Sequence, residues 1–360
     1  MLLSGIFPPI TTPYYPAGNV YFKKLEHNVE RYSKTPVAGI VVLGSTGESV
    51  MLSDIERRDV LRTVAETAAP NKVLVGGTGM ESADETLQLT EFAAKVGYDV
   101  ALVRTPHFYR KQMLPANLLA FYRFVADRSP IPVLLYNVPP FTAYDLPAEL
   151  VIELCGHPSI IGIKESGGDV EKVRRMVEGT RHVKRSATVT ETFEAVTPRM
   201  LKAATEGSRE LVSISMPADG GRASSPVATK ASSAGVSTIG SMKTRQKEVG
   251  FQVLVGAAHT LAPSLEVGAA GAILGFAVPA PTACYEIYAA WKEGDLDLAR
   301  LKQQKVTKAS LRIVSDFGVP GIKYAMDLNG YYGGPARLPL MPLTADAKQE
   351  IEQLMGDIRN

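Results

Sequence analysis

The sequence predicts an α/β chain of the (β/α)8 TIM-barrel class, with a C-terminal helical extension and an insertion between helix 6 and strand 7. Two observations predict it: a strand-then-helix rhythm, and a single break in that rhythm that closes when one segment is removed. Apolar runs at Gly5 to Ile10, Gly39 to Leu43, Val73 to Gly76, Val100 to Val103, Pro132 to Tyr136 and Ile160 to Lys164 are each followed by a turn and a segment of helical period. From Ile6 through Ile40, Val73, Ala101 and Val133 to Ile161 the intervals are 34, 33, 28, 32 and 28 residues. Strands alternating with single helices at such intervals imply right-handed βα units on a parallel sheet.

The next run is Phe251 to Val255, and Val253 lies 92 residues beyond Ile161. Removing His182 to Gln246, 65 residues, brings that interval to 27. With Gly271 to Leu274 the units number eight, which favours a closed barrel over an open doubly wound sheet. The expected organisation is a barrel over residues 1–278, interrupted at about 182–246, and a helical region over 279–360. The helices of that region are expected at Ala280 to Lys292, Leu296 to Val314, Val319 to Leu328 and Ala345 to Arg359.

Within the insertion no Phe, Tyr or Trp falls between Phe193 and Phe251, and Ser208 to Ser241 is rich in Ser, Ala, Gly and Pro. Such a composition suggests loops and short pieces, with a helix over Thr190 to Glu206 interrupted at Pro198. Lying between a helix and the next strand, the segment belongs at the N-terminal face of the barrel, opposite the catalytic face, where packing or assembly is its expected role.

Composition narrows the functions. The chain is 45% hydrophobic and 21% charged, with a formal net charge of +2 and dispersed basic residues, so no footprint for nucleic acid or an anionic membrane stands out. Cys155 and Cys284 have no partners at metal-ligand spacing, which fits core residues in a reducing compartment. Met1 to Phe7 lacks the basic region of a signal peptide, and the apolar stretch Phe251 to Pro281 is broken by His259, Pro263, Glu266 and Pro279. A cytoplasmic protein is expected. His27, His107, His157, His182 and His259 are scattered, and Gly167-Gly168 and Gly333-Gly334 read as turn glycines, so neither a metal nor another cofactor is expected.

Three strand ends carry polar residues where a barrel places its chemistry. Ile160-Ile161-Gly162-Ile163-Lys164-Glu165-Ser166-Gly167-Gly168 is a strand closing into a turn, and alternation puts Ile161 and Ile163 on one face and Gly162 and Lys164 on the other. A lysine at the end of an apolar strand either snorkels into water or serves as a nucleophile that forms a Schiff base with a carbonyl. Tyr136, at the end of the fifth strand, stands 28 residues before Lys164 at the corresponding position; it is either a core aromatic with a satisfied hydroxyl or close enough to exchange protons with an adduct there. Gly44-Ser45-Thr46-Gly47-Glu48, after the second strand, offers hydroxyls and open N–H groups to a carboxylate, although Ser-Thr-Gly before a helix is also ordinary capping chemistry.

These motifs, with Gly5-Ile6-Phe7-Pro8-Pro9-Ile10-Thr11-Thr12-Pro13 and Tyr136-Asn137-Val138-Pro139, resemble in order and spacing those of the dihydrodipicolinate synthase and N-acetylneuraminate lyase family of pyruvate-dependent class I aldolases. The resemblance spans nearly the whole chain outside 182–246. Ser166-Gly167-Gly168-Asp169-Val170 and Gly330-Tyr331-Tyr332-Gly333-Gly334-Pro335 are most similar to the 4-hydroxy-2-oxoglutarate aldolase branch. It implies that Lys164 forms a Schiff base with a 2-oxo acid such as pyruvate, that Tyr136 shuttles protons with Ser45 bonded to it, and that Ser45, Thr46 and Gly47 hold the carboxylate. It further implies that the Ile273 carbonyl lines the pocket, and that the chain assembles as a homotetramer. Two departures stand out. Dihydrodipicolinate synthases place an arginine after Asn-Val-Pro for a second carboxylate, where this chain has Phe141. The family's interface tyrosine falls at Phe108, leaving Tyr109 or water to replace it. The expected function is a metal-independent aldolase acting on a 4-hydroxy-2-oxo acid of the 4-hydroxy-2-oxoglutarate or 2-keto-3-deoxy sugar acid type. The alternatives are a dehydratase on the same lysine, dihydrodipicolinate synthase itself, and a barrel that binds 2-oxo acids without turnover.

Overall fold

The computed structural model describes residues 1–212, 236–239 and 242–358. In chain order the barrel runs β1 (Gly5–Phe7), α1 (Phe22–Ser33), β2 (Gly39–Val42), α2 (Asp54–Thr67), β3 (Val73–Gly77), α3 (Ala83–Val96), β4 (Val100–Arg104) and α4 (Pro115–Arg128). It continues with β5 (Val133–Asn137), the short α5 (Pro139–Thr142), α6 (Ala148–Leu154), β6 (Ile160–Glu165) and α7 (Val170–Gly179). The inserted elements follow: β7 (Arg185–Thr190), α8 (Pro198–Val212), β8 (Val236–Ile239) and β9 (Met242–Val249). The barrel resumes with β10 (Gln252–Val255), α9 (Leu261–Glu266) and β11 (Gly271–Ile273). The tail comprises α10 (Pro281–Lys292), α11 (Leu296–Ser310) with a π-helical turn to Asp316, α12 (Gly318–Leu328) and α13 (Ala345–Met355).

Local chemistry sets several of these boundaries. Ser53 and Glu56 form a reciprocal capping box that starts α2, and Asp169 accepts from the Glu171 and Lys172 N–H groups to start α7. Gly97, in the left-handed region, ends α3.

Eight parallel strands pair in the order β1-β11-β10-β6-β5-β4-β3-β2. The ends of this series meet, because Ile10 N donates to Val41 O at 3.0 Å and Val41 N to Pro8 O at 3.0 Å. The sheet is therefore a closed barrel, and its two faces are two cores. Alternate residues Phe7, Val41, Val75, Leu102, Leu134 and Leu254 fill the interior, while Ile6, Ile40, Val103, Leu135 and Val253 face the helices.

The alternation expected across β6 fails at one point. Register shifts between Val133 and Leu134, which pair with Ile160 and Gly162, so Ile161 is an extra residue in β6. As a result Ile161 joins the interior cluster and Ile163 the outer one, correcting their assignment to one face. Gly162 and Lys164 share the inward face. Glycine is required at 162, since a Cβ there would lie 2.1 Å from Gln252 O.

Loops and short pieces give way, in the insertion, to an antiparallel sheet of order β7-β9-β8. Nor does a helix begin at Thr190. Arg185–Thr190 is a strand, and the helix starts at Pro198, a first-turn position that suits proline. Most of the Ser- and Gly-rich middle lies outside the described residues. The sheet builds no aromatic core of its own: Ala187, Val189 and Val249 pack with Leu2 and Ala195. Arg185 donates to the carbonyls of Cys155, His157 and Ile160, and Thr197 Oγ1 donates to Pro70 O. Those carbonyls precede or open β6 and β3, so the insertion covers the N-terminal ends of the strands. No helix among the described residues is long and apolar enough to cross a membrane.

Asp99 lies beneath this cover. Its Oδ2 accepts from Leu74 N at 2.8 Å and stands 4.0 Å from Arg199 Nη2 of α8, while Oδ1 is buried without a hydrogen bond. Burial pushes its pKa up from 3.8 to about 6, against the pull of Leu74 N and Arg199. A carboxyl whose folded value exceeds its unfolded one contributes stability at low pH and loses it as pH rises through the folded value. Asp99→Asn is therefore expected to gain about 2–3 kcal/mol on the natural chain between pH 4 and 7, measured by urea midpoints; a difference that stays flat or narrows would contradict this.

Candidate active site

At the C-terminal end of the barrel three polar side chains stand in register on the interior face. Arg104, the last residue of β4, pairs with Tyr136 on β5, and Tyr136 pairs with Lys164 on β6. Lys164 and Tyr136 are each 5% exposed, and the Lys164 Nζ sits 4.1 Å from the centroid of the Tyr136 ring. Tyr136 OH is 3.2 Å from Ser45 Oγ. The amine, the phenol and the hydroxyl are thus adjacent.

Lys164 differs from the other buried lysines among the described residues. Lys72 donates to Thr35 O and Val37 O, Lys172 pairs with Asp145 and Glu165, and Lys323 pairs with Glu48. Against these, Lys164 Nζ makes no hydrogen bond and no ion pair among the described residues; its neighbour is a ring face. The residue keeps only 5% of its exposure, and its amine is left open to an incoming partner.

Its position is fixed by the alternate side chains of the same two strands, which point away from the interior. Asn137 Nδ2 donates to both Glu165 oxygens, at 3.0 and 2.9 Å, and to Asp145 Oδ1 at 2.7 Å, while Asn137 Oδ1 accepts from Leu146 N. Lys172 joins Asp145 and Glu165. Burial works against the Asp145 carboxylate, but Lys172 and Asn137 outweigh it and hold its pKa below the usual value. The outward residues of β5 and β6 are thereby stitched together, which fixes the inward ones between them.

Ser45, Thr46 and Gly47 form a single 3-10 turn after β2. The N–H groups of Ser45 and Thr46 open the turn and have no acceptor within it. Left-handed residues flank it, Leu43 at φ 60° and Glu48 at φ 55°, an uncommon conformation for either side chain. Contacts from far along the chain hold it. Glu48 Oε1 lies 2.6 Å from Lys323 Nζ, with both side chains 1% exposed, and Glu48 Oε2 accepts from Arg337 N at 2.8 Å. Lys323 also donates to Thr12 O and Pro335 O, and Thr12 Oγ1 donates to Gly47 O at 2.7 Å. Burial pushes the Lys323 pKa down, with Glu48 opposing the shift.

A cavity of about 650 Å³ opens above these strand ends. Ser45, Tyr136, Arg104 and His107 supply polar wall, and Val138, Phe141, Phe317 and Met341 apolar wall. Thr46, Gly47, Lys164 and Ile273 are not on the wall. Ile273 is buried in the barrel interior on β11, paired with Phe7. Phe108 and Tyr109 are 75% and 67% exposed and meet edge to face at 5.1 Å between ring centres. Sequence reading missed Arg104, the Asn137–Glu165 pairing and the Glu48–Lys323 pair. Only Arg104 carried a local signal, as a charge closing an apolar strand.

The model of the dihydrodipicolinate synthetase family matches residues 2–219 and 223–358. The chain is 27% identical to the 4-hydroxy-tetrahydrodipicolinate synthase of Methanothrix thermoacetophila, across 99% of this chain and 100% of that protein. It is 41% identical to the enzyme of that name from Xanthomonas axonopodis pv. citri, over 49% of this chain and 58% of the other. A prophage protein from E. coli K12 described as belonging to the dihydrodipicolinic acid synthase family, solved in complex with pyruvate, superposes with a TM-score of 0.73 at 25% identity, covering 99% of each chain.

Lys323→Met is expected to destabilise the fold by about 3–5 kcal/mol, because it leaves the Glu48 carboxylate buried and unpaired, and Glu48→Gln in the same chain should recover part of the loss. Denaturant midpoints read this directly. An unchanged midpoint in the single variant would show that the pair does not hold the turn.

Proposed function

The chain belongs to the dihydrodipicolinate synthetase family, a family of pyruvate-dependent class I aldolases, and from that membership we propose that it cleaves and forms 4-hydroxy-2-oxo acids, with pyruvate as the Schiff-base partner. The observation that carries the reading is the buried Lys164 amine, unpaired beside a phenol. An ammonium tied to a carboxylate is a poor nucleophile, and Lys164 has no such tie.

In this reading Lys164 Nζ attacks C2 of the 2-oxo acid, water leaves, and a protonated imine results. The N–H groups of the Ser45–Gly47 turn receive the substrate carboxylate. Tyr136 takes the proton of the C4 hydroxyl as the C3–C4 bond breaks, and the bonding pair passes into the enamine while an aldehyde departs. Protonation at C3 gives the pyruvate imine, and hydrolysis returns pyruvate and the free amine. Ser45, bonded to Tyr136, orients the phenol and relays its proton toward the cavity. The Ile273 carbonyl lines the pocket in the same reading. Homotetrameric assembly belongs to the same reading, supported by the exposed Phe108 and Tyr109 rings beside the site.

A second reading, 4-hydroxy-tetrahydrodipicolinate synthase, follows the names of the curated relatives and uses the same imine. Phe141 on the cavity wall departs from it, because those enzymes resemble one another in carrying an arginine after Asn-Val-Pro and this chain has an apolar ring there.

Borohydride reduction in the presence of pyruvate is expected to add the mass of a reduced pyruvate imine at Lys164, and Lys164→Arg to lose both the adduct and, by several orders of magnitude, pyruvate release from 4-hydroxy-2-oxo acids. Loss of water without release of pyruvate would make the enzyme a dehydratase. Absence of any adduct would remove the Schiff base itself.

A further inference from the structure

Arg104 is unused by the chemistry above, yet it shares the layer that carries it. In register with Tyr136, it is one strand, about 4.8 Å, from the proton relay, and two strands from Lys164. Among the described residues lining the 650 Å³ cavity it is the one permanent cation. His107 is the other basic residue there; its Nδ1 lies 2.7 Å from Glu81 Oε1, and burial lowers its pKa despite the pull of that carboxylate. The acids on that wall are engaged elsewhere: Asp316 with Arg312 and Glu48 with Lys323.

The guanidinium is held at one edge and open at the other. Its Nη1 lies 2.7 Å from Glu81 Oε1 and 2.8 Å from His107 Nδ1, while Nε and Nη2 make no hydrogen bond among the described residues. Glu81 in turn accepts from the His107 and Phe108 N–H groups, which makes the anchor rigid. Bare backbone stands beside it, since a Cβ on Gly79 would fall 2.4 Å from Arg104 N. A smaller cavity of about 190 Å³ opens off the same corner, sharing Arg104, Ser49, Val50, Gly77 and Gly79 with the larger one. Arg57 also lines it, and makes one hydrogen bond, from Nε to Ser49 O. Arg57 is within the influence of Asp54, Glu85 and Glu56, whereas Arg104 faces only Glu81 at its held edge, and a planar fork with a free edge matches a carboxylate.

We propose that Arg104 receives a terminal carboxylate on the fragment that leaves as the aldehyde, so that the enzyme selects 4-hydroxy-2-oxo diacids over analogues of equal length with an uncharged end. This rests on the aldolase reading and adds the source of its selectivity. With the imine on Lys164 and C4 beside Tyr136, the far end of the chain is directed along the row toward β4. Phe141 is then no deficiency, because the second anion is met from a different strand.

The test compares 4-hydroxy-2-oxoglutarate with 4-hydroxy-2-oxopentanoate in the natural enzyme, Arg104→Gln and Arg104→Lys. The natural enzyme is expected to favour the diacid, and Arg104→Gln to shrink the ratio of the two kcat/KM values roughly 10- to 100-fold, the worth of a charge-assisted hydrogen bond, with partial rescue in Arg104→Lys. Borohydride trapping of pyruvate on Arg104→Gln reports whether the variant folds and forms the imine. Glu81→Gln, which loosens the anchor but keeps the guanidinium, should retain the preference for the diacid. A natural enzyme that traps pyruvate without preferring the diacid, or a ratio unmoved in Arg104→Gln, would overturn the role of Arg104 and leave the aldolase reading intact. Failure of the natural enzyme to trap pyruvate or cleave either compound would overturn both.

Discussion

A primary amine at the end of a barrel strand with no anion beside it is the condition on which this site depends. Among the described residues three other lysines are buried, and each is tied to carbonyls or carboxylates. Lys164 faces the Tyr136 ring instead, because β5 and β6 are locked in register and their outward residues, Asn137 and Glu165, are bonded to each other. That pairing fixes where the Lys164 side chain leaves β6, on the interior face, where its amine has no ion-pair partner among the described residues.

The opposite wall is held from much farther along the chain. The Ser45–Gly47 turn is strained on both sides, and a buried pair between Glu48 and Lys323 ties it to α12 and to the loop before Arg337. The C-terminal region is thus part of the site's framework, and its connecting segments also supply Phe317 and Met341 to the cavity wall. At the other end of the barrel the insertion seals the strands' N-terminal openings with arginine–carbonyl contacts, leaving access from the catalytic face.

What was legible in the sequence follows the range of the interactions involved. Eight strands, their spacing and the polar residues at three strand ends are local patterns, and Tyr136, Lys164 and Ser45 come together as that pattern implies. The bulge at Ile161 was not legible, because it depends on how closely Gln252 on the neighbouring strand approaches Gly162. The inserted sheet was misread because its strands are charged and free of aromatics, a sign of no independent core; the core it uses includes Leu2 of the barrel's own N-terminal segment. Glu48 and Lys323 stand far apart in sequence, and no local rule pairs them. Arg104 was visible as a letter but not as a function. A charge closing a strand is ordinary until its register with Tyr136 is known.

The most direct measurement is a crystal structure of the enzyme reduced with borohydride in the presence of pyruvate. Continuous density from Lys164 Nζ to C2 of the ligand, with its carboxylate on the Ser45 and Thr46 N–H groups and Tyr136 OH beside the former carbonyl, is the predicted result. An unmodified Lys164, with pyruvate lodged elsewhere in the cavity, would contradict the account at its base.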